Sequence, residues 1–328
     1  MPAQKFNRLF DIQSEEEFNN LCLEVFKFQY QNCDVYHRFS DSLGIQAETI
    51  KHFTQIPFLP VEFFKTHEII SEPKSNEAVI FTSSTTTSQY PSKHYVNDIT
   101  LYEKSFLKAF KLFYGKPNDY CILALLPGYL ERSGSSLVYM FDHLIKLSTD
   151  AKSGFFLHNC DELIEVIKSL KNNGKKTILI GVTYALLDLS ERGIELGDNF
   201  IVMETGGMKG KRREMIKEEL HAFLKQKLGI TTIHSEYGMT ELLSQAYSKG
   251  DGIFECPPWM RILIRDAEDP LSLLGENKTG GINVIDLANW QSCSFIATKD
   301  LGRLSGNKFE VMGRFDNSDV RGCNLMIG

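Results

Sequence analysis

The run Ser235-Glu236-Tyr237-Gly238-Met239-Thr240-Glu241 gathers more chemically able groups than any other stretch of this chain. It follows the β-rich Thr231-Thr232-Ile233-His234 and leads into Leu242-Leu243, a pattern that predicts a strand-to-helix turn. At such a mouth an aromatic ring can stack on a base and a glycine admits close backbone approach. A hydroxyl can reach a phosphate, and a carboxylate can hold a metal ion. A buried tyrosine in an ordinary turn is the other reading of the same residues.

Four further stretches stand beside it. Thr82-Ser83-Ser84-Thr85-Thr86-Thr87-Ser88 follows the candidate strand Ala78 to Phe81 and precedes Pro91 and Lys93-His94. Its hydroxyls and backbone N–H groups can surround a polyphosphate that the lysine then neutralises. A solvated Ser/Thr loop is the plainer alternative, and the run lacks the glycine that phosphate loops favour. Thr205-Gly206-Gly207 closes another strand, where paired glycines let a flat base or a carbonyl lie against the backbone; a simple strand-ending turn is equally open. Thr298-Lys299-Asp300 places an aspartate after a β segment, able to accept two ribose hydroxyls or to serve an ordinary turn. Gly313-Arg314-Phe315-Asp316 through Cys323 reads by itself as a mobile carboxy-terminal turn.

Several elements must position these groups. Ser14 is a candidate cap for a helix opened by Glu15-Glu16-Glu17, whose charges suit the positive end of the helix dipole. Strands are expected at 121–126, 177–182, 200–203 and 231–235, and helices at 161–172 and 211–228, stopped by Gly174 and Gly229. The long helix is expected to bury Ile216, Leu220, Phe223 and Leu224. This alternation predicts an α/β fold with mostly parallel sheets flanked by helices. From Trp259 on, short runs at 261–264, 281–285 and 294–298 predict a small antiparallel β subdomain. The expected organisation is an α/β core with N-terminal helices over 1–255, a β subdomain over 256–312 and a hinge and tail over 313–328.

Composition narrows the function classes. A net charge of −6 over 328 residues gives no electrostatic footprint for nucleic acid or an anionic membrane. The apolar runs are too short to span a bilayer, and the start lacks a signal-peptide pattern, so a cytoplasmic location is expected. Seven scattered cysteines and eight histidines without ligand spacing argue against disulfide frameworks and zinc sites.

In this order the stretches resemble the adenylate-forming superfamily of acyl-CoA synthetases, luciferases and adenylation domains. Ile56-Pro57-Phe58-Leu59-Pro60 with Phe64-Lys65, Lys93-His94, and Ser318 to Cys323 narrow the resemblance to the acyl-protein synthetase (LuxE-type) branch. That resemblance implies ATP and Mg²⁺ as cofactors and a carboxylic acid, most simply a fatty acid, as substrate. Tyr237 would stack on adenine beside Gly238, Thr240 would touch the α-phosphate and Glu241 would hold Mg²⁺. Thr82 to Ser88 with Lys93 would hold the other phosphates, and Gly206-Gly207 would line the adenine and carboxylate region. Asp300 and Arg314 would bind ribose, Asp316 would be the hinge, and Cys323 would receive the acyl group from acyl-AMP.

The chain departs from the family pattern at Thr85, Ser88 and Lys299, where glycines are usual, and the resemblance leads to the expectation of an adenylating core without the family's carboxy-terminal domain after the hinge. Acyl transfer to coenzyme A or an acyl carrier protein, with an acyl reductase as a further partner of the thioester, is an alternative outcome. A non-catalytic nucleotide-binding module is the alternative from a different class. The expectation that joins these stretches is convergence of the 82–93 loop, the Tyr237 turn, Asp300 and Arg314 on ATP.

Overall fold

A computed structural model describes residues 6–83, 90–127, 132, 134–206 and 215–315. In chain order the first strands are β1 (Leu59–Pro60), β2 (Val79–Thr82), β3 (Lys93–Val96), β4 (Cys121–Leu125) and β5 (Gly154–Phe155). There follow β6 (Thr177–Val182), β7 (Phe200–Thr205), β8 (Ile233–Tyr237), β9 (Ala246–Ser248) and β10 (Ile253–Glu255). The last are β11 (Met260–Arg265), β12 (Thr279–Asp286), β13 (Phe295–Ser305) and β14 (Lys308–Arg314). The chain divides into two compact units: residues 64–68 with 73–257, and residues 1–63 and 69–72 with 258–328.

The first of these units is α/β. Its sheet runs β10-β9-β8-β7-β6-β4-β5, parallel from β5 to β8 and antiparallel across β8, β9 and β10. Every residue of β4 and β6 is buried, as near-continuous apolar strands covered on both faces must be. The crossover helices are Ser136–Ser148, Cys160–Asn173, Thr183–Ser190 and Lys217–Leu228. Gly174 and Gly229 end two of them in the left-handed conformation, φ 68° and 67°. A separate hairpin pairs β2 with β3.

The other unit holds the antiparallel order β11-β12-β13-β14, with β1 parallel to β13. Against it pack the N-terminal helices Glu15–Asn32 and Asp34–Ser42. Ser14 Oγ accepts from the backbone N–H of Glu17 at 3.2 Å, the expected cap. Arg261 grips the Glu15 carboxylate with two hydrogen bonds of 3.0 and 2.8 Å. The Arg261 hydrogen bond lowers the Glu15 pKa, against a smaller opposing effect of burial. Deeper in, the fully buried Gln29 amide donates to the carbonyls of Asn289 and Trp290 and accepts from the N–H of Ser294.

Four local expectations need correction. The long helix begins at Lys217. Ile216 takes extended backbone as the residue before it and stands 68% exposed rather than on the buried face; residues 211–214 lie outside the described ones. No helix follows the Tyr237 turn. Leu242 and Leu243 are buried without helical backbone, and Ala246–Ser248 returns along β8. Pairing of β9 along the free edge of β8 takes these residues into the sheet instead. Asp300 lies inside β13 rather than after it, because pairing with β14 carries the strand past a bulge between Leu301 and Gly302. For the same reason Gly313 and Arg314 belong to a strand, not a mobile turn.

Gln29→Leu would strand several main-chain groups without partners. We expect a loss of about 3 kcal/mol, read as a lowered urea midpoint.

Candidate active site

Thr82 and Ser83, the first two residues of the hydroxyl-rich run, stand at the end of β2 in the β2–β3 hairpin. Thr82 pairs with Lys93 across the ladder, so the lysine stands directly opposite the first hydroxyl. The neck is closed by Ser83 N–H to the Ser92 carbonyl at 3.2 Å and by Ser92 N–H to Ser83 Oγ at 2.9 Å. The Thr82 N–H donates to the Gly134 carbonyl at 2.7 Å. Ser84, Thr85, Thr86 and Thr87, named above as phosphate-binding candidates, lie outside the described residues.

A buried histidine ties this hairpin to the Tyr237 turn. His94 Nδ1 lies 2.8 Å from the Thr240 carbonyl. A carbonyl only accepts, so Nδ1 carries the proton. Phe64 meets the ring edge-to-face at 5.8 Å and holds its plane. Lys93, one residue earlier and on the opposite face of the strand, remains exposed. The hairpin, Thr240 and Glu241 are thereby drawn to one end of the α/β unit.

Tyr237 is the last residue of β8, packed against Phe254 at 6.0 Å and only 8% exposed. Thr240 is half-buried and Glu241 buried. Gly238 is exposed, and a Cβ there would sit 2.5 Å from Glu236 Oε1, so a side chain at this position would have to displace that carboxyl. Gly206 ends β7 at φ 68°, a conformation open to glycine without strain. Its neighbour Gly207 lies outside the described residues, as do Asp316 and Cys323.

Two carboxylates that pattern reading passed over stand on opposite faces of β7 and β8. Burial by itself raises the Glu204 pKa. The Lys217 ammonium at 2.7 Å, with His221 and Ser235, overrides it and brings the group to about 2. Burial raises Glu236 to about 7, helped by the Glu204 charge and opposed by a 2.6 Å hydrogen bond from Thr205 Oγ1. An ionisable residue inside the largely apolar β7 was the available signal for Glu204, whereas the mixed β8, with His234 and Ser235, gave none for Glu236. Two residues before Glu236, burial and then the Lys249 charge lower His234 to about 4.

In the other unit Asp300 and Arg314 face each other across β13 and β14, with Nε 3.4 Å from Oδ1. Asp300 is mostly buried and Arg314 mostly exposed, so the carboxylate is oriented while the guanidinium reaches solvent. The Asp300 N–H donates to Thr298 Oγ1 at 3.1 Å. Lys299, standing where a glycine is usual, sends its ammonium 2.9 Å from Glu62 Oε1. Among the described residues no group of three or more His, Cys, Asp or Glu could hold a metal ion.

A family model described as acyl-protein synthetase, LuxE, matches residues 3–328. The chain belongs to this LuxE family of acyl-protein synthetases. The LuxE-type resemblance carried by Ile56 to Pro60 with Phe64-Lys65, Lys93-His94 and Ser318 to Cys323 therefore holds, and the family is one of enzymes. The fold is also similar to solved adenylate-forming proteins. ATP-bound MatB from Rhodopseudomonas palustris is 18% identical at a TM-score of 0.52, over 72% of this chain and 47% of that one. A 2-hydroxyisobutyryl-CoA ligase in complex with 2-HIB-AMP and CoA is 12% identical at 0.68, over 92% and 70%. McyG A-PCP complexed with phenylalanyl-adenylate is 15% identical at 0.54, over 73% and 47%. The LuxE-family chain thus spans about half the length of MatB and of McyG A-PCP. No curated protein matches.

Glu236 makes the stability of the LuxE-family chain depend on pH. Its folded pKa of about 7 exceeds the ordinary 4.5, so the folded state holds the extra proton between those values. Stability therefore falls as pH rises from 4.5 to about 7. We expect Glu236→Gln to remove that decline and to gain up to roughly 3 kcal/mol at pH 8, measured by urea unfolding across pH.

Proposed function

We propose that this chain activates a carboxylic acid, a fatty acid in the simplest case, as acyl-AMP and passes the acyl group to a thiol. The observation that carries the reading is the His94–Thr240 contact, which sets a hydroxyl-rich hairpin and its lysine beside a Tyr-Gly-Met-Thr-Glu turn. Family membership over residues 3–328 supports it.

A carboxylate oxygen of the acid attacks the α-phosphorus of ATP, the Pα–O bond to the β-phosphate breaks, and pyrophosphate leaves. The protein works by positioning and charge neutralisation rather than acid–base chemistry. Thr240 donates to the α-phosphate. The hairpin hydroxyls from Thr82 and Ser83 through Thr87, with Lys93, hold the departing phosphates. Tyr237 and Gly238 take the adenine, Gly206-Gly207 line the base and carboxylate region, and Asp300 and Arg314 take the ribose. One carboxylate together with phosphate oxygens is an ordinary ligand set for Mg²⁺, and the buried Glu241 fits that role. Mg²⁺ bound there supplies charge neutralisation for the leaving pyrophosphate.

Cys323 is proposed as the acceptor. Its thiolate, favoured by the neighbouring Arg321, attacks the acyl carbonyl carbon; the carbon–oxygen bond to phosphate breaks and AMP leaves. An external thiol, coenzyme A or a carrier-protein phosphopantetheine, is the second reading. It is favoured by the likeness to a ligase solved with CoA and 2-HIB-AMP. A cytoplasmic setting suits both.

With ATP, Mg²⁺ and labelled acid the protein is expected to form a thiol-labile acyl-protein. Cys323→Ser should abolish the label and leave acid-dependent ATP–pyrophosphate exchange intact; label that persists in the variant assigns the acceptor elsewhere. His94→Ala should raise the KM for ATP in the exchange assay about tenfold or more, by releasing Thr240 from the hairpin. Recovery in His94→Asn, which keeps a donor near the Nδ1 position, would identify the hydrogen bond as the cause.

A further inference from the structure

The polar face of β8 opposite α-helix Lys217–Leu228 contains more hydrogen-bonding capacity than the protein satisfies. Glu236 pairs directly with Tyr247 across the β8–β9 ladder, so both side chains leave the same face of the sheet. The next position on that face is Gly238, and the space its missing Cβ would take is occupied by Glu236 Oε1 at 2.5 Å and Gln245 Cγ at 3.4 Å. The carboxyl is thus bent toward the end of β8, where Thr240 and Glu241 follow. Thr205 Oγ1 binds the other carboxyl oxygen at 2.6 Å and fixes the group in place. Phe113 and Tyr114 flank the Tyr247 ring at 5.2 and 5.3 Å.

Gln245 and Tyr247 are 3% and 1% exposed, yet Gln245 Oε1 and the Tyr247 hydroxyl have no hydrogen-bond partner among the described residues. Buried polar atoms without partners are costly, and their clustering beside a buried carboxyl at a strand end calls for a polar occupant. Gln245 Oε1 only accepts, while the protonated Glu236 carboxyl and the tyrosine hydroxyl can do either, so the complementary occupant carries at least one hydrogen-bond donor.

We infer that Glu236, Gln245 and Tyr247 recognise a hydroxyl or amino group carried on the chain of the acid that is activated, so that a functionalised acid is preferred over a plain saturated one. This rests on the acyl-adenylating reading above. Discrimination would be strong, since a substrate lacking the donor would leave the buried acceptors unpaired.

The test is ATP–pyrophosphate exchange by the full chain with sets of equal-length acids that are unsubstituted, hydroxylated or aminated. The expected result is a KM at least about tenfold lower for a hydroxylated or an aminated acid, and which of the two wins names the donor. Tyr247→Phe and Gln245→Leu should each raise that KM severalfold and leave the KM of the unsubstituted acid unchanged. If one variant fails to fold, the other decides. Equal or lower KM for unsubstituted acids overturns the inference, as does a variant that shifts every acid alike. A crystal structure with acid bound, in which ordered water alone partners Gln245 and Tyr247, overturns it too. Exchange with no acid at all would remove the acyl-adenylating reading and this inference with it, whereas exchange without preference removes only this inference.

Discussion

The contact between His94 Nδ1 and the Thr240 carbonyl is the interaction on which the site's geometry depends. It joins positions 146 apart in the chain. Neither the β2–β3 hairpin nor the turn after β8 has regular structure to fix the other. A buried ring suits this role, because low local dielectric strengthens its hydrogen bond and Phe64 removes its rotational freedom. Because side chains alternate along a strand, burying His94 turns Lys93 outward. One hydrogen bond therefore decides both where the hydroxyls of the hairpin start and which way the adjacent charge points.

The parallel sheet supplies the frame for that contact. Strands β4 to β8 end together, so Gly206 and Tyr237 close neighbouring strands and their turns open on the same side. Burial inside such a sheet also sorts the two strand carboxylates. Glu204 meets the Lys217 ammonium and stays ionised, while Glu236 finds only a hydroxyl and a distant like charge and keeps its proton up to neutral pH. Two glutamates on adjacent strands thus acquire different chemistry from what packs over each face.

Asp300 and Arg314 follow a different logic. They are set by register within an antiparallel pair, and the bulge after Leu301 lets the pairing continue to Arg314. The carboxylate is held by its partner, which limits its rotational freedom. Lys299, an outlier against the family pattern, pairs instead with Glu62.

Much of this was legible in the residues themselves. The run at 177–182 had to be a strand, since six buried positions in a row suit only a covered sheet, and Ser14 and Gly174 announced helix ends by local chemistry alone. The order of the Thr82, Gly206, Tyr237, Asp300 and Gly313 stretches was enough to indicate the family. Three features belonged to the tertiary structure. The strand after Tyr237, where a helix was expected, depends on an edge offered by β8, which no local pattern encodes. Packing of the first sixty-three residues with the carboxy-terminal β segment rests on contacts such as Gln29 with Trp290, distant in sequence. The ionisation of Glu204 and Glu236 depends on which groups share their burial. Local sequence governs backbone preference within a few residues, whereas strand partners and electrostatic environment exist only once remote segments meet.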